Sequence, residues 1–161
     1  MTKQVLFRPI GIIHSPFKRL EGMPIQPSAA EGITGHVIVK EEYVEGLSDL
    51  DGFSHIYLLY HLHLVRSFKL KVVPFLDTQE RGLFATRAPK RPNPIGLSVV
   101  KLTAIESNIL RIENVDIVDG TPLLDIKPYV PEMNDVKDFR CGWLSNLRDE
   151  FSSKKSDKRF Q

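Results

Sequence analysis

Two neighbouring segments of the chain carry the side chains that are best suited to chemistry. Residues 81–96 read RGLFATRAPKRPNPIG and combine four basic residues with three prolines. Residues 116–129 read DIVDGTPLLDIKPY and contain three carboxylates, those of Asp116, Asp119 and Asp125. Clustered cations can hold an anion or a nucleic acid, and carboxylates can hydrogen-bond a polar ligand or accept a proton. The two segments together predict a binding or catalytic site.

The three prolines of the first segment fix their own φ angles and lack backbone N–H groups, so the loop before Gly96 should be stiff. This loop would restrain four polar side chains: Arg87, Lys90, Arg91 and Asn93. The amide oxygen of Asn93 and a neighbouring carbonyl can accept the two hydrogens of the exocyclic amine of an adenine. A purely structural turn that caps a barrel is the alternative.

The carboxylates of the second segment differ in their sequence surroundings. Asp119 precedes Gly120, and a carboxylate at such a turn often caps it, so a structural role stands beside a functional one. Asp125 lies between two apolar residues of a predicted strand. An acid in that position needs a partner, such as Lys127, Arg87 or a bound ligand.

The composition is that of one globular domain. The chain has 161 residues, of which 42% are hydrophobic and 26% charged. It contains neither an apolar stretch long enough to span a bilayer nor a cleavable signal, so we expect a soluble, cytoplasmic protein without a membrane partner. Cys141 is the single cysteine, which excludes an internal disulfide and a multi-cysteine metal site.

Charge is distributed unevenly along the chain. The net charge is only +2, yet residues 66–101 hold eight Lys or Arg against Asp77 and Glu80. A polyanion-binding face has this asymmetry because phosphate contacts need clustered cations. A solvated surface is the simpler alternative.

The elements that must position these residues are short strands. Apolar, β-rich runs separated by turn residues cover residues 7–13, 35–39, 53–64, 70–75, 96–105, 109–118 and 123–126. Because strands follow strands, with a two-residue turn at Ser107–Asn108, the pattern predicts an all-β, mainly antiparallel fold with a closed sheet. The parity of the apolar residues changes near Asn114, which predicts a bulge that helps to present Asp116 and Asp119.

A few short helices complete the prediction. One turn is expected at Glu41–Leu47, and a short helix at Asp138–Leu147 that carries Trp143 and Leu144 into the core. Residues 1–150 should form one domain, followed by a basic and disordered tail over residues 151–161.

A row of side chains shares one face if residues 53–64 form a strand, because side chains alternate with period two. The row consists of His55, Tyr57, Leu59, His61 and His63. Its histidines permit a metal hypothesis, but no second ligand cluster stands at a recognisable spacing, so no metal is predicted. Contact with a ligand is expected instead for His63, because strand ends open into pockets.

The common phosphate-binding motifs are absent from the sequence. It contains neither a G-x-G-x-x-G nor a Walker motif, and Ser54 does not stand in a nucleophile elbow. Phosphate-loop chemistry and acyl transfer are therefore disfavoured.

Five segments resemble the TsaA-like/TrmO family. They read GIIHSPF at 11–17, PIQP at 24–27, EGLSDLDGFSHIYLLYHLH at 45–63, GLFATRAPKRPNPIGLS at 82–98 and DIVDGTPLLDIKPYVP at 116–131. The RCGWL at 140–144 resembles the ending of the family's short form, which lacks the C-terminal domain of long bacterial forms. The resemblance implies a single-sheeted β-barrel that forms a homodimer. It also implies S-adenosyl-L-methionine-dependent N6-methylation of the threonylcarbamoyl-adenosine next to the anticodon of threonine tRNA.

The resemblance implies a pocket for the methyl donor as well. Its lining would be Pro24, Ile25, Gln26, His63, Leu64, Arg87, Leu97, Asp116, Ile117, Val118 and Asp119. Ile25 and Leu64 depart from the pattern, because long forms are expected to carry Arg and Gln there.

The chemistry of the implied reaction suggests further roles. Asp119 or Asp125 is expected to accept the proton of the adenine amine, which Asn93 would orient. Four residues would contact the phosphates and a splayed-out base of the anticodon loop: Lys90, Arg91, Lys127 and Tyr129. Two other functions stay open, because a fold does not fix a function. One is a non-catalytic barrel that binds S-adenosyl-L-methionine or RNA, and the other is a methyltransferase acting on a different substrate.

Overall fold

The computed structural model describes residues 4–134, 139–145 and 153–160. Eight strands occur in it: β1 Gly11–His14, β2 Thr34–Val39, β3 His55–His61, β4 Lys71–Val72, β5 Arg81–Gly82, β6 Ile95–Glu106, β7 Ile109–Glu113 and β8 Thr121–Pro128. The helices are α1 Pro131–Asn134 and the 3₁₀ helices Pro27–Ala29, Glu41–Leu47, Leu50–Gly52, Leu83–Ala85, Gly142–Leu144 and Lys158–Phe160. Among the described residues, no helix combines the length and the apolar character that crossing a bilayer requires.

Six of the strands form one closed barrel. Their order around it is β1, β2, β7, β6, β3 and β8, and every neighbouring pair is antiparallel. The pairing of β8 with β1, with Thr121 opposite Ile13, closes the sheet. The predicted all-β, mainly antiparallel barrel with a few short helices is confirmed. The remaining strands, β4 and β5, pair only with each other.

Alternate residues of the strands fill the inside of the barrel. In β3, Ile56, Leu58 and Tyr60 are buried, whereas His55 and His61 face outward. This confirms the predicted alternation. The core contains further buried residues from four strands: Ile13, Val37, Val39, Val100, Leu102, Leu110 and Ile112. Burial of each such side chain contributes about 1.5–3 kcal/mol, which is why the apolar face of each strand determines its register.

The two ends of the barrel are defined by chain direction. At the upper rim, β1, β3 and β7 end and β2, β6 and β8 begin; the opposite end is the lower rim. The connections at the upper rim therefore include residues 15–33, the loop that enters β6, the residues after β3 and the segment 114–120. At the lower rim lie Glu41–Leu47, which is helical as predicted, and the Ser107–Asn108 turn between β6 and β7.

The predicted bulge at Asn114 is wrong. β7 ends at Glu113, and Asn114 adopts the left-handed conformation with φ 64°, so the change in apolar parity marks the end of a strand. Asn114 then accepts a hydrogen bond from the backbone N–H of Gly32, at 3.1 Å. The register shifts occur elsewhere, between Leu102 and Ala104 in β6 and at Leu59–Tyr60 in β3.

Trp143, in the described stretch 139–145, packs on the outside of the barrel. Trp143 is partly exposed, donates from Nε1 to the carbonyl of Ala85 at 2.9 Å and lies under the guanidinium of Arg81. It therefore does not enter the barrel core, in contrast to the prediction. Of the helix predicted over 138–147, residues 138 and 146–147 lie outside the described residues.

The segment 153–160 belongs to the tail for which disorder is predicted, and it contacts the domain at two places. Lys155 forms a β-bridge with Pro24, and the backbone N–H of Ser156 donates to the carbonyl of Met23 at 2.9 Å. Arg159 donates from Nη1 to the carbonyl of Pro74 at 2.7 Å. These contacts place the segment beside the connection between β1 and β2 and beside the residues between β4 and β5.

Candidate active site

Asp116 stands at the upper rim beside two hydroxyl groups from the barrel interior. The Ser98 hydroxyl, on the inward face of β6, donates to Asp116 Oδ1 at 2.7 Å. The Tyr60 hydroxyl of β3 lies 2.9 Å from the Ser98 oxygen. Because the single proton of Ser98 is directed at the carboxylate, Tyr60 is the donor of the second bond. A chain of hydrogen bonds thus runs from Tyr60 through Ser98 to Asp116.

Burial controls the protonation of this chain. Removal of the carboxylate from water raises the pKa of Asp116 to about 6, although the Ser98 hydroxyl and the positive charge of Arg87 act in the opposite direction. Burial, together with the charge of Asp116, raises the pKa of Tyr60 well above its usual range, so the phenol keeps its proton. Asp116 therefore titrates close to neutral pH while Tyr60 remains a donor.

Gly96 makes room for the Tyr60 ring. The two residues are paired across β3 and β6, and a Cβ built at Gly96 would lie 2.1 Å from the nearest ring carbon. The ring therefore crosses β6 where β6 has no side chain, and its hydroxyl reaches Ser98 two residues further along the strand. This is the close approach that a glycine in a strand often marks.

Arg87 and Leu97 meet beside this chain. Arg87 donates from Nη2 to the backbone carbonyl of Leu97 at 2.5 Å, and both side chains are exposed. The positive charge of Arg87 is close enough to favour the ionised form of Asp116. Three members of the predicted donor pocket are thus brought together.

Asp119 has entirely different partners. Its Oδ1 lies 3.1 Å from His14 Nδ1 and accepts the backbone N–H of Ser15 at 3.1 Å, and its Oδ2 lies 2.6 Å from Lys18 Nζ. The Lys18 contact is the largest cause that lowers the pKa of Asp119 to about 2. Asp119 is therefore ionised at neutral pH and attached to the chain that follows β1.

The residues between these two carboxylates join the rim to the barrel. The Ser15 hydroxyl donates to the carbonyl of Ile117 at 2.5 Å, and the backbone N–H of Asp119 donates to the carbonyl of Phe17 at 2.7 Å. Ile117 and Val118 are buried. Their side chains therefore pack in the protein interior, and the carboxylates of Asp116 and Asp119 lie on either side of this buried pair.

The remaining members of the predicted donor pocket lie in other upper-rim connections. His63 follows the end of β3, and its Nδ1 is buried without a hydrogen-bond partner in the described part of the chain. Burial is the largest cause that lowers its pKa. Leu64 beside it is exposed. Residues 24–26 lead into the 3₁₀ helix Pro27–Ala29, which lies beside β6.

Asp125 does not join this group. It lies near the lower rim, where Asp125 Oδ2 is 2.9 Å from Lys127 Nζ and the side chain is 45% exposed. The expected partner Lys127 is confirmed. Asp125 lines a cavity of about 720 Å³ together with Tyr43, Leu47 and Phe53. The structure thus separates Asp125 from the other two carboxylates of its segment.

The predicted RNA contacts are also divided between the two rims. Tyr129 packs edge-on against Tyr57, with ring centroids 5.4 Å apart, on the outward face near the lower rim. In the loop before β6, Arg91 donates from Nη1 to the carbonyls of Thr86 and Ala88, at 3.0 and 3.2 Å, and so braces the loop. In the same loop Lys90 is partly buried and Asn93 is exposed.

A second cavity adjoins Asp119. It has a volume of about 480 Å³, and its lining includes His14, His36, Lys18 and Arg111. The rings of His14 and His36 stack with centroids 4.9 Å apart. Burial, followed by the neighbouring His14 and Arg111, lowers the pKa of His36. Among the described residues, no three His, Cys, Asp or Glu side chains form a group that could hold a metal ion.

Sequence reasoning missed Tyr60, Ser98, His14 and Lys18 as partners of the two carboxylates. A signal existed for the first two, because period-two alternation places the polar Ser98 on the inward face of β6, two residues from Gly96. A polar residue at a core position needs a hydrogen-bond partner. No comparable local pattern links His14 or Lys18 to Asp119, which lies more than 100 residues away in sequence.

The fold and the site define a class: a small, closed antiparallel β-barrel that collects carboxylate, hydroxyl, histidine and arginine groups at one rim. The chain belongs to the family described as the tRNA-methyltransferase O N-terminal domain, whose model matches residues 12–135.

Two relatives illustrate the similarity. The chain is 53% identical over 156 residues to a probable S-adenosyl-L-methionine-binding protein of Pyrococcus abyssi, which covers 97% of this chain and 85% of that protein. It is 37% identical over 150 residues to the tRNA (adenine(37)-N6)-methyltransferase of Escherichia coli, which covers 87% of this chain and 64% of that enzyme.

The fold is also that of a solved relative. The crystal structure of TrmO from Pseudomonas aeruginosa superposes with a TM-score of 0.73 at 38% identity, covering 88% of this chain and 63% of that one. The chain thus spans less than two thirds of the length of the solved TrmO and of the Escherichia coli enzyme.

Proposed function

We propose that this chain binds S-adenosyl-L-methionine and transfers its methyl group to the N6 atom of an adenosine in tRNA. The observation that carries the proposal is the upper rim itself. Three connections, residues 15–33, 62–94 and 114–120, lie at this rim, and each contains residues that the resemblance implies for the methyl donor. The tRNA methyltransferase relative supports the transfer, and the S-adenosyl-L-methionine-binding relative supports binding of the donor.

The residues of the rim suit this donor. S-adenosyl-L-methionine has no phosphate, and it supplies an electrophilic methyl group on a cationic sulfonium. Carboxylates beside such a cation stabilise it, and Asp116 and Asp119 both stand at this rim. The buried Nδ1 of His63 offers a hydrogen-bonding group that the described chain leaves unpaired. In our proposal the donor site comprises Pro24, Ile25, Gln26, His63, Leu64, Arg87, Leu97, Asp116, Ile117, Val118 and Asp119.

We further propose that the methyl acceptor is the threonylcarbamoyl-adenosine beside the anticodon of threonine tRNA. The stiff loop before β6 would hold Asn93 at the rim, where its amide oxygen would accept the single N6–H of the base. Lys90 and Arg91 of that loop, and Lys127 and Tyr129 of the outward face, would contact phosphates and bases of the anticodon loop. Catalytic roles for Asp119, Asp125 and Asn93 stay predictions.

A homodimer is part of the proposal. Large apolar side chains remain exposed around the donor rim: Leu64 at 43%, Ile95 at 39% and Leu97 at 44%. A second copy that covered them would also exclude water from the reacting groups. Light scattering after size-exclusion chromatography measures the mass directly, and a single monomer mass at micromolar concentration would contradict this part.

The decisive experiment measures methyl transfer. The purified protein is incubated with radiolabelled S-adenosyl-L-methionine and threonine tRNA, with or without the threonylcarbamoyl group, and the RNA is digested to nucleosides. We expect label on the modified adenosine alone. Label on unmodified tRNA would retain the methyltransferase and reject the proposed acceptor. Donor binding without transfer to either RNA would favour a non-catalytic binding barrel.

A further inference from the structure

The proton that leaves the N6 atom needs an acceptor, and the three carboxylates of the segment 116–129 are unequal candidates. An effective general base has a pKa near the working pH and lies within reach of the reacting group. Asp119 is a poor candidate, because three donors already bind its oxygens and its pKa lies near 2. Asp125 is paired with Lys127 near the other rim.

Asp116 is the better candidate, because its pKa of about 6 lies near the working pH and only one hydroxyl donor from another residue holds its carboxylate. It stands at the upper rim and contacts Ser98 of β6. The neighbouring β6 residue, Leu97, accepts a hydrogen bond from Arg87. Only its Oδ1 receives the Ser98 hydroxyl, and the residue is partly rather than fully buried. One carboxylate oxygen is therefore held from inside the barrel, and the residue as a whole keeps part of its surface exposed.

We propose that Asp116 accepts the N6 proton during methyl transfer, and that Ser98 and Tyr60 are positioning residues that fix its carboxylate. The inference rests on the proposed function and adds a role to a residue of the donor site. The N6–methyl bond forms as the sulfonium–methyl bond breaks, and the electron pair of the broken bond stays on sulfur. The proton released from the N6 atom passes to Asp116 and later to solvent.

The surroundings of Asp116 explain why this carboxylate is available. Desolvation makes it more basic than an ordinary Asp, and Ser98 and Arg87 limit that effect so that it is still ionised at pH 7. The titratable and charged groups that face it from the described elements are Tyr60 of β3 and Arg87 of the loop before β6. Tyr60 stays protonated, so it can only donate and cannot take the proton itself.

The test separates chemistry from binding. For the Asp116→Asn variant we expect a single-turnover rate about 10²- to 10⁴-fold below wild type, the usual contribution of a general base. The rate is measured at saturating S-adenosyl-L-methionine, so that any loss of donor affinity, which calorimetry measures separately, does not enter it. Thermal unfolding checks that the variant is folded. A folded Asp116→Asn variant with a rate within threefold of wild type overturns the proposal.

The positioning role has its own readout in the pH profile. Rate should fall below about pH 6 in wild type as Asp116 becomes protonated. Ser98→Ala removes a donor to the ionised form and should move this acidic limb upward by about one pH unit. Tyr60→Phe, which acts only through Ser98, should move it less in the same direction. An unmoved limb in Ser98→Ala contradicts the positioning role.

A matched control lies on the same strand. Thr103 of β6 is exposed and donates its hydroxyl to the carbonyl of Arg111, so Thr103→Ala removes a β6 hydroxyl that does not face Asp116. We expect its pH profile to overlay that of wild type. Methylation of no tRNA by the wild-type protein would overturn the proposed function and this inference together, whereas an active Asp116→Asn variant beside an active wild type overturns the inference alone.

Discussion

Asp116 and Asp119 belong to the same short segment, yet the barrel gives them opposite environments. Asp116 accepts the neutral Ser98 hydroxyl, which the Tyr60 hydroxyl bonds in turn, and burial raises the pKa of Asp116 to about 6. Asp119 meets Lys18, His14 and a backbone N–H, and its pKa falls to about 2. Residue type and spacing therefore locate a carboxylate, but the strands packed against it determine whether it can take up a proton.

The largest expected effect comes from a side chain at Gly96, which would fill the space that the Tyr60 ring occupies. In Gly96→Ala the new Cβ would overlap the Tyr60 ring, which is 7% exposed and has little room to move. We expect a loss of about 2–3 kcal/mol of unfolding free energy, measured with urea, and loss of the Tyr60–Ser98 hydrogen bond. The matched control is Gly82→Ala, where nothing lies within 4 Å of the new Cβ. Equal stability of the two variants would refute this account of Gly96.

The Asp119 environment should respond to loss of its charge. Asp119→Asn weakens the attraction to Lys18 and His14, and we expect a loss of about 1–2 kcal/mol at pH 7. Because the folded pKa is below the unfolded one, the contribution is present above about pH 4 and disappears as pH falls through 2. Urea unfolding at pH 7 and pH 2.5 measures it. Lys18 is mostly exposed, so Lys18→Ala should cost less than 1 kcal/mol; a larger loss there would assign the stability to Lys18 instead.

The smallest expected change in stability is that of Asp116→Asn, and its sign is opposite to that of Asp119→Asn. The folded pKa of Asp116 is raised, so its ionisation in the folded state destabilises the protein as pH rises from about 4 through 6. Asp116→Asn should therefore stabilise the protein by about 1 kcal/mol at pH 7.5 and have little effect at pH 4. Melting temperatures of the variant and of wild type at the two pH values give the sign of the stability difference. A destabilised Asp116→Asn at pH 7.5 would show that burial does not dominate at this site.

Much of the fold followed from the sequence because the signals were local. Alternation of apolar residues predicted β2, β3 and β6, and the Ser107–Asn108 pair predicted the turn before β7. The convergence of the rim connections was expected from the resemblance, and the structure assembles Arg87, Leu97 and Asp116 as a group.

Other features could not be predicted because they depend on distant contacts. The change in apolar parity at Asn114 resembles that of a bulge. Asn114 instead follows the end of β7, adopts the left-handed conformation and accepts a hydrogen bond from Gly32. Asp125 shares a segment with Asp116 and Asp119, yet β8 carries it along the barrel to the other rim. The partners of Asp119 come from the far end of the chain, and no spacing rule connects them.

The closure of the barrel by β1 and β8 has a consequence for the order of folding. His14 and Asp119 are separated by 105 residues, whereas Ser98 and Asp116 are separated by 18 and Tyr60 and Ser98 by 38. Long loops close more slowly than short ones. We therefore expect the Tyr60–Ser98–Asp116 chain to form before the bonds between Asp119 and the end of β1, which secure the residues that directly precede β8, the strand that closes the sheet.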